Sequence, residues 1–190
     1  LAFQCTDGVQ VETMFRASPY LESLTSTDGA INLSTLQADV PVAVMLEVGV
    51  AKRPPGEHGL LRLTLTGDIP SLGRRAERLD YDVRCTFTPA ESPAEPVPPA
   101  IRSTLSKITI FRMQERVWDA IDKGDVNIAT RQLEIIATHL FDLGEAQLAR
   151  AAMLEAGRIA QGGSPTAKGR KELKYGTRGL SIASRRKSYD

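Results

Sequence analysis

The first half of the chain alternates between apolar and polar positions with a period of two. Val9, Val11, Thr13 and Phe15 fall on one side of a run that ends at Arg16. The pattern returns at Val42, Val44, Leu46, Val48 and Val50, and again at Leu61, Leu63 and Leu65. Its clearest instance is Leu79, Tyr81, Val83, Cys85 and Phe87, interleaved with Asp80, Asp82, Arg84 and Thr86. Alternation of this kind buries one face of a strand and wets the other. Ile31 and Leu33, after Asp28-Gly29, add a candidate short strand. Ser18-Pro19, Asp28-Gly29, Pro54-Pro55-Gly56 and Pro70 to Gly73 punctuate the runs as turns. No helical pattern intervenes, so neighbouring strands are expected to pair antiparallel, as a β-sandwich. Five or six strands is few for that architecture.

From Thr88 to Ala100 the chain carries Pro89, Pro93, Pro96, Pro98 and Pro99. Prolines this dense cannot join a ladder and favour an extended linker. Beyond them the period becomes helical. Ile101, Leu105, Ile108, Phe111, Trp118 and Ile121 recur at three and four, up to Lys123-Gly124. Asp125 is placed to cap a second helix with Val126, Ala129, Leu133, Ile136, Leu140 and Leu143. Gly144 stops it, and Glu145 opens a third with Leu148, Ala149, Ala152, Met153, Ala156 and Ile159, ending at Gly162-Gly163. Short loops predict an antiparallel three-helix bundle. Ser164-Pro165 reads as the start of a further short helix through Leu173. The expected fold class is therefore α+β: a sandwich over 1–88, a proline linker over 89–100, a bundle over 101–163, and a short helix with a basic tail over 164–190.

The net charge of +1 hides an asymmetry, because the segment from Ser164 onward carries +6 and the rest of the chain −5. A mildly acidic body with a basic tail is unlike a nucleic-acid domain, which spreads its cations over a folded face. The two cysteines, Cys5 and Cys85, are too few for a secreted disulfide scaffold and favour a reducing cytoplasm. Cys85 reads as a small buried residue in a strand. A Cys5–Cys85 bridge is the lesser reading. No apolar run is long enough to span a membrane and no signal peptide is visible. The opening Leu1-Ala2-Phe3 suggests a piece of something longer.

Candidate chemistry is sparse. His58, between glycines, reads as a solvated turn residue, and His139 as a surface residue within reach of Asp142. No zinc spacing, phosphate-cradling glycine loop, dinucleotide fingerprint or nucleophile elbow occurs, so no catalytic residue, cofactor or metal is expected. Arg112 to Glu115 interrupts the apolar stripe of the first helix with charge. Such a break is usually a solvated flank or an ion pair, and less often a partner contact. Lys174-Tyr175-Gly176-Thr177-Arg178 suggests a turn that packs Tyr175 over the Trp118 core while its cations rest on acidic surface. Arg185-Arg186-Lys187-Ser188 reads as a docking tail or a free end.

Several segments together carry a family resemblance: Phe111-Arg112-Met113-Gln114-Glu115-Arg116, Gly124-Asp125-Val126, Ala129-Thr130-Arg131, Ala137-Thr138-His139-Leu140, Leu143-Gly144-Glu145 and Leu173 to Arg178. With the β-domain and proline hinge before them, they resemble the region that follows the von Willebrand factor A (VWA) domain in bacterial VWA proteins. Many of those are labelled calcium-activated chloride channel-like. In that family the VWA domain is Rossmann-like and holds a divalent cation through Asp-x-Ser-x-Ser, a motif this chain lacks. The resemblance implies an accessory module without a metal site, whose β-domain takes a strand from sequence before the VWA domain.

The expected function is a noncatalytic protein-interaction or scaffolding module, with the VWA domain of the same longer chain among its partners. No nucleic acid and no membrane span are expected. Arg112, Glu115, Lys174, Tyr175 and Arg178 are the candidate docking residues. Two rival readings are a tetratricopeptide-like adaptor built on Gly124 to Gly163 and an enzyme with an unrecognised site. One hairpin is too little for the first, and the second lacks a motif.

Overall fold

The computed structural model describes residues 1–89 and 96–180. The protein is mixed α+β, with small antiparallel sheets followed by four helices among the described residues. The strands are β1 (Ala2–Cys5), β2 (Val9–Ser18), β3 (Glu22–Ser23), β4 (Ala43–Val50), β5 (Gly56–Ile69) and β6 (Arg74–Phe87). They form two three-stranded sheets, ordered β1-β5-β6 and β3-β2-β4. The helices are α1 (Pro99–Asp122), α2 (Val126–Asp142), α3 (Ala146–Ala160) and α4 (Ala167–Arg178).

Contacts divide the chain into two units. One holds Leu1–Arg16 with Ser23–Pro96, and the other holds Ala17–Glu22 with the chain from Val97. The second membership was not legible in the sequence, which placed residues 17–22 in the β-part. β2 alternates as expected through Thr13, but Phe15, Arg16, Ala17 and Ser18 at its end are all buried, as is Leu21, only 1% exposed. The backbone N–H of Leu21 donates to the carbonyl oxygen of Arg178 at 2.9 Å, so this short strap is fastened to the last turn of α4.

In the β-unit, β1 pairs with β5 and β5 with β6, both antiparallel. Directly opposed residues share a face, so Phe3, Leu63 and Tyr81 form one row, Cys5, Leu61 and Val83 the next, and Leu65 meets Leu79. The core here is thin. Leu61 is buried, yet Leu79 and Tyr81 are 67% and 68% exposed, against the expectation that the Leu79–Phe87 alternation marks a buried face. The reason is position: β6 is the outermost strand of its sheet, so its apolar side has a neighbour on one flank only. Cys85 is exposed for the same reason, and both cysteines are free, which overturns the buried reading and the bridge. Ile31 and Leu33 form no strand. Only the isolated bridges Ala2↔Ala30 and Thr27↔Ala30 occur there, and Ile31 exchanges hydrogen bonds with Leu1. His58 is no turn residue but lies within β5, its Nε2 2.9 Å from Pro54 O and its ring edge-on to Phe87.

In the helical unit, α1 starts with Pro99 at its first position, so the proline segment runs directly into a helix. Residues 90–95 of the expected linker lie outside the described residues. Three helices end in the same way. Gly124, Gly144 and Gly162 take positive φ, and the N–H groups of the glycine and its successor return to carbonyls of the last turn, as in Asp125 N to Ala120 O at 2.8 Å. Asp125 and Glu145 occupy the cap positions, though neither side chain makes a capping bond. The core is Ile108, Ile110, Phe111, Val117 and Trp118 of α1, Leu133, Ile136 and Leu140 of α2, Leu148, Ala152 and Ile159 of α3, and Leu173 of α4. Ile101 and Leu105 of the expected stripe are exposed, as are Val126 and Met153. Thr104 takes their place on the buried side, because Ile108 and Phe111 define a face that passes through 104 rather than 105. α4 is no appendage: it packs against both α1 and α3, closing the run α1–α2–α3 into a ring.

Replacing Leu21 with Ala should lower the stability of the helical unit by about 2–5 kcal/mol, the range for a fully buried leucine. Leu154 of α3 is exposed, so its replacement should change stability by less than about 0.5 kcal/mol. Chemical denaturation followed by far-UV circular dichroism separates the two, and equal costs would show that the strap is not part of the helical core.

Candidate interaction surface

The polar groups of the helical unit converge where α4 is seated. Glu155 sits on the buried face of α3 among Ala152, Ala156 and Ile159, and is only 4% exposed. A buried carboxyl group is costly unless hydrogen-bonded. Its partners come from the start of α4: the Thr166 N–H donates to Oε2 at 2.7 Å and the Thr166 hydroxyl to Oε1 at 2.6 Å. The same hydroxyl accepts from the Gly169 N–H at 2.9 Å, so Thr166 caps α4 while bound to α3. The cap is thus Thr166 rather than Ser164, because only Thr166 reaches both the helix and Glu155. A Cβ on Gly169 would overlap the Glu155 carboxyl, and one on Gly176 would come within 2.5 Å of Leu148 Cδ1. At the other end of α4, buried Thr177 donates to the Oε1 of buried Gln114 on α1.

This geometry corrects the reading of the closing segment. Lys174 to Arg178 is the last part of α4, not a turn, and Tyr175 is exposed. Thr177 is the buried member of that segment and Leu173 is buried just before it, and Arg170 covers Trp118, its guanidinium carbon 5.0 Å from the ring centroid. Trp118 itself belongs to the core as expected, although its indole N–H has no partner among the described residues. Of the candidate docking residues, Arg112 is half-buried and Glu115 exposed on α1, while Lys174, Tyr175 and Arg178 are exposed on α4. They lie on two helices that pack together. His139 is exposed in the last turn of α2. Arg185 to Ser188 lie outside the described residues. Glu155, Gln114, Thr166 and Thr177 were missed, though a signal existed. Gln114 stands three after Phe111 and four before Trp118, and Glu155 three after Ala152 and four before Ile159, so each is a polar residue on an apolar stripe.

The other polar assembly runs along the β5–β6 hairpin, on the face opposite Leu63 and Tyr81. Arg62 Nε binds Asp82 at 2.6 Å, Arg78 binds Asp80 at 2.9 Å, and Thr64 donates to Asp80 at 2.6 Å. The hydrogen bond from Thr64, then that from Arg78, lowers the Asp80 carboxyl below its ordinary range, and the bond from Arg62 does the same for Asp82. A cleft of about 480 Å³ beside them is lined by Gln4, Thr6, Arg62, Asp82 and Arg84 among others. The free thiol of Cys5 is also part of its lining. Among the described residues no group of His, Cys, Asp or Glu could hold a metal ion, and no helix is long and apolar enough to cross a membrane.

Comparison with known proteins gives two findings. Residues 99–182, all of the helical ring, match the family model described as the Sll0103-like, C-terminal alpha-helical domain. The solved structure of a von Willebrand factor type A protein from Catenulispora acidiphila resembles the chain with a TM-score of 0.68 at 14% identity. The match covers 93% of this chain and 44% of that one, so the chain spans less than half the length of the structure it resembles. At that identity the likeness is one of fold. No curated protein matches the chain in sequence.

Gly169→Ala should destabilise the protein by about 1–3 kcal/mol through overlap with Glu155. This outweighs the roughly 1 kcal/mol that alanine gains over glycine in a helix, because hydrogen bonds pin the carboxyl in place. In a Glu155→Ala background the same substitution should cost much less. Additive losses in thermal or denaturant unfolding would contradict the contact.

Proposed function

We infer that this chain is a noncatalytic interaction module that accompanies a VWA domain and has no metal site of its own. The observation that carries the reading is the order of elements. A Rossmann-like domain alternates strands and helices around a parallel sheet. Here, among the described residues, six strands come first, β1, β5 and β6 pair antiparallel, and four helices follow. Likeness to a VWA-titled structure of more than twice the matched length is then best accounted for by the part of that chain outside its VWA domain. The description of the matched family model as C-terminal and helical supports the same placement. On this reading the two sheets stack as a small sandwich, and the exposed residues of α1 and α4, Glu115, Lys174, Tyr175 and Arg178 with Arg112 beside them, face the partner. The two free cysteines fit a reducing compartment, the cytoplasm.

The test is calorimetry in two steps, with Mg²⁺ alone and then with a VWA domain that carries an intact Asp-x-Ser-x-Ser and is encoded in the same gene. The chain by itself should show no one-to-one Mg²⁺ site. It should bind the domain saturably, and reversing Lys174 and Arg178 to Glu should weaken that binding. A micromolar metal site in the chain, or no association with the domain, would contradict the reading.

A further inference from the structure

α4 carries a row of cations without counter-charge. Arg170, Lys174 and Arg178 stand four residues apart, so they follow one another along the helix at about 6 Å per step. The row runs beside the buried positions Gly169, Leu173 and Thr177, and all three cations are exposed. Glu172 is the only acid of the helix. Among the described residues none of the three cations is in an ion pair. Glu115 and Asp122 of α1, a turn to either side of Trp118, are exposed and make no ion pair either. Like charges one turn apart destabilise a helix, so the row weakens α4 taken alone. Hydrogen bonds to α3 and α1 nevertheless hold that helix at both ends, and the Arg170 guanidinium is stacked over Trp118. The cations are thus set out on a fixed support, which lowers the entropy cost of engaging a ligand.

We propose that the row Arg170–Lys174–Arg178 receives carboxylates spaced one helical turn apart on the VWA domain that accompanies this chain. The inference rests on the function proposed above, and adds to it a ligand chemistry and Arg170, which the candidate docking residues do not include. The occupant is sought in that domain because the resembled structure extends well beyond the 44% of it that the likeness covers. Carboxylates of a folded partner suit the row better than a polyanion does. The chain before Ser164 carries −5, which opposes the long-range field of a nucleic acid or an anionic membrane. It acts much less on a contact about 12 Å long, which is close to the screening length of physiological salt. The arginine at each end offers a planar fork that takes a carboxylate through two hydrogen bonds, and the lysine between them a point charge. Arg170 already lies flat on an aromatic ring, so its fork is held ready for a carboxylate in the same plane.

The experiment uses the full chain and the unlabelled VWA domain encoded in the same gene. Trp118 is the chain's single tryptophan, so 5-fluorotryptophan placed there gives one fluorine resonance, from the ring under Arg170. That resonance should shift on adding the domain. The affinity read by calorimetry should fall roughly tenfold between about 0.05 and 0.5 M salt. Arg170→Gln should weaken binding about tenfold and Arg170→Lys by less, because lysine keeps the charge and loses the fork. Lys168→Gln, a cation of α4 outside the row, should change it little. Circular dichroism confirms that each variant is folded. A domain that binds with no shift at Trp118, or indifferently to salt and to Arg170→Gln, would overturn the row and leave the proposed function standing. Absence of any association would overturn both.

Discussion

A carboxyl group cannot be taken out of water without hydrogen-bond donors, and in this protein the burial of Glu155 dictates where the last helix begins. Its two oxygens are met by the backbone and hydroxyl of Thr166. Thr166 then orients the first N–H groups of α4 by accepting from Gly169. One side chain on α3 therefore does two jobs that are usually separate: it fixes the position of a neighbouring helix and, through Thr166, sets its cap. The close approach this requires leaves no room for a Cβ at Gly169. A second glycine, Gly176, lets the same helix face lie on Leu148.

The far end of α4 is fixed by different means. Thr177 binds Gln114 of α1, and the Arg178 carbonyl receives the N–H of Leu21. A residue twenty-one positions into the chain is thus part of the helical core, while the family model that matches the helices covers residues 99–182 alone. The helical ring is completed by a strap from outside its own sequence. The closing Lys174–Arg178 segment is the place where α1, α4 and the strap are joined, and Lys174, Tyr175 and Arg178 are exposed there.

How much of this could be read from the sequence depended on whether a local signal existed. The change of period at the prolines, the glycines at 124, 144 and 162, and the cap positions at Asp125 and Glu145 are local, and the first three helices follow from them. β1 was invisible because Ala2–Cys5 is too short to show a period. The exposure of Leu79, Tyr81 and Cys85 was invisible because alternation tells which residues share a face, not whether anything covers that face. α4 was cut short at Leu173 because Gly176 reads locally as a turn. Its reason for being glycine lies in Leu148, distant in sequence. The candidate docking residues were assigned to the right helix only for Arg112 and Glu115. The buried polar residues that fasten α4 are Gln114, between those two on α1, and Glu155 of α3.

The proposed interaction surface is held in place only if α4 is an integral part of the ring rather than a tail resting on it. Native-state amide hydrogen exchange, read residue by residue across α4 in the wild type and in Glu155→Ala, tests that most directly. The account predicts that α4 exchanges together with α2 and α3 in the wild type. Loss of the carboxyl should release α4 ahead of α2, by a factor that reflects the two lost hydrogen bonds. Free exchange of α4 in the wild type, or an α4 as protected in Glu155→Ala as before, would contradict it.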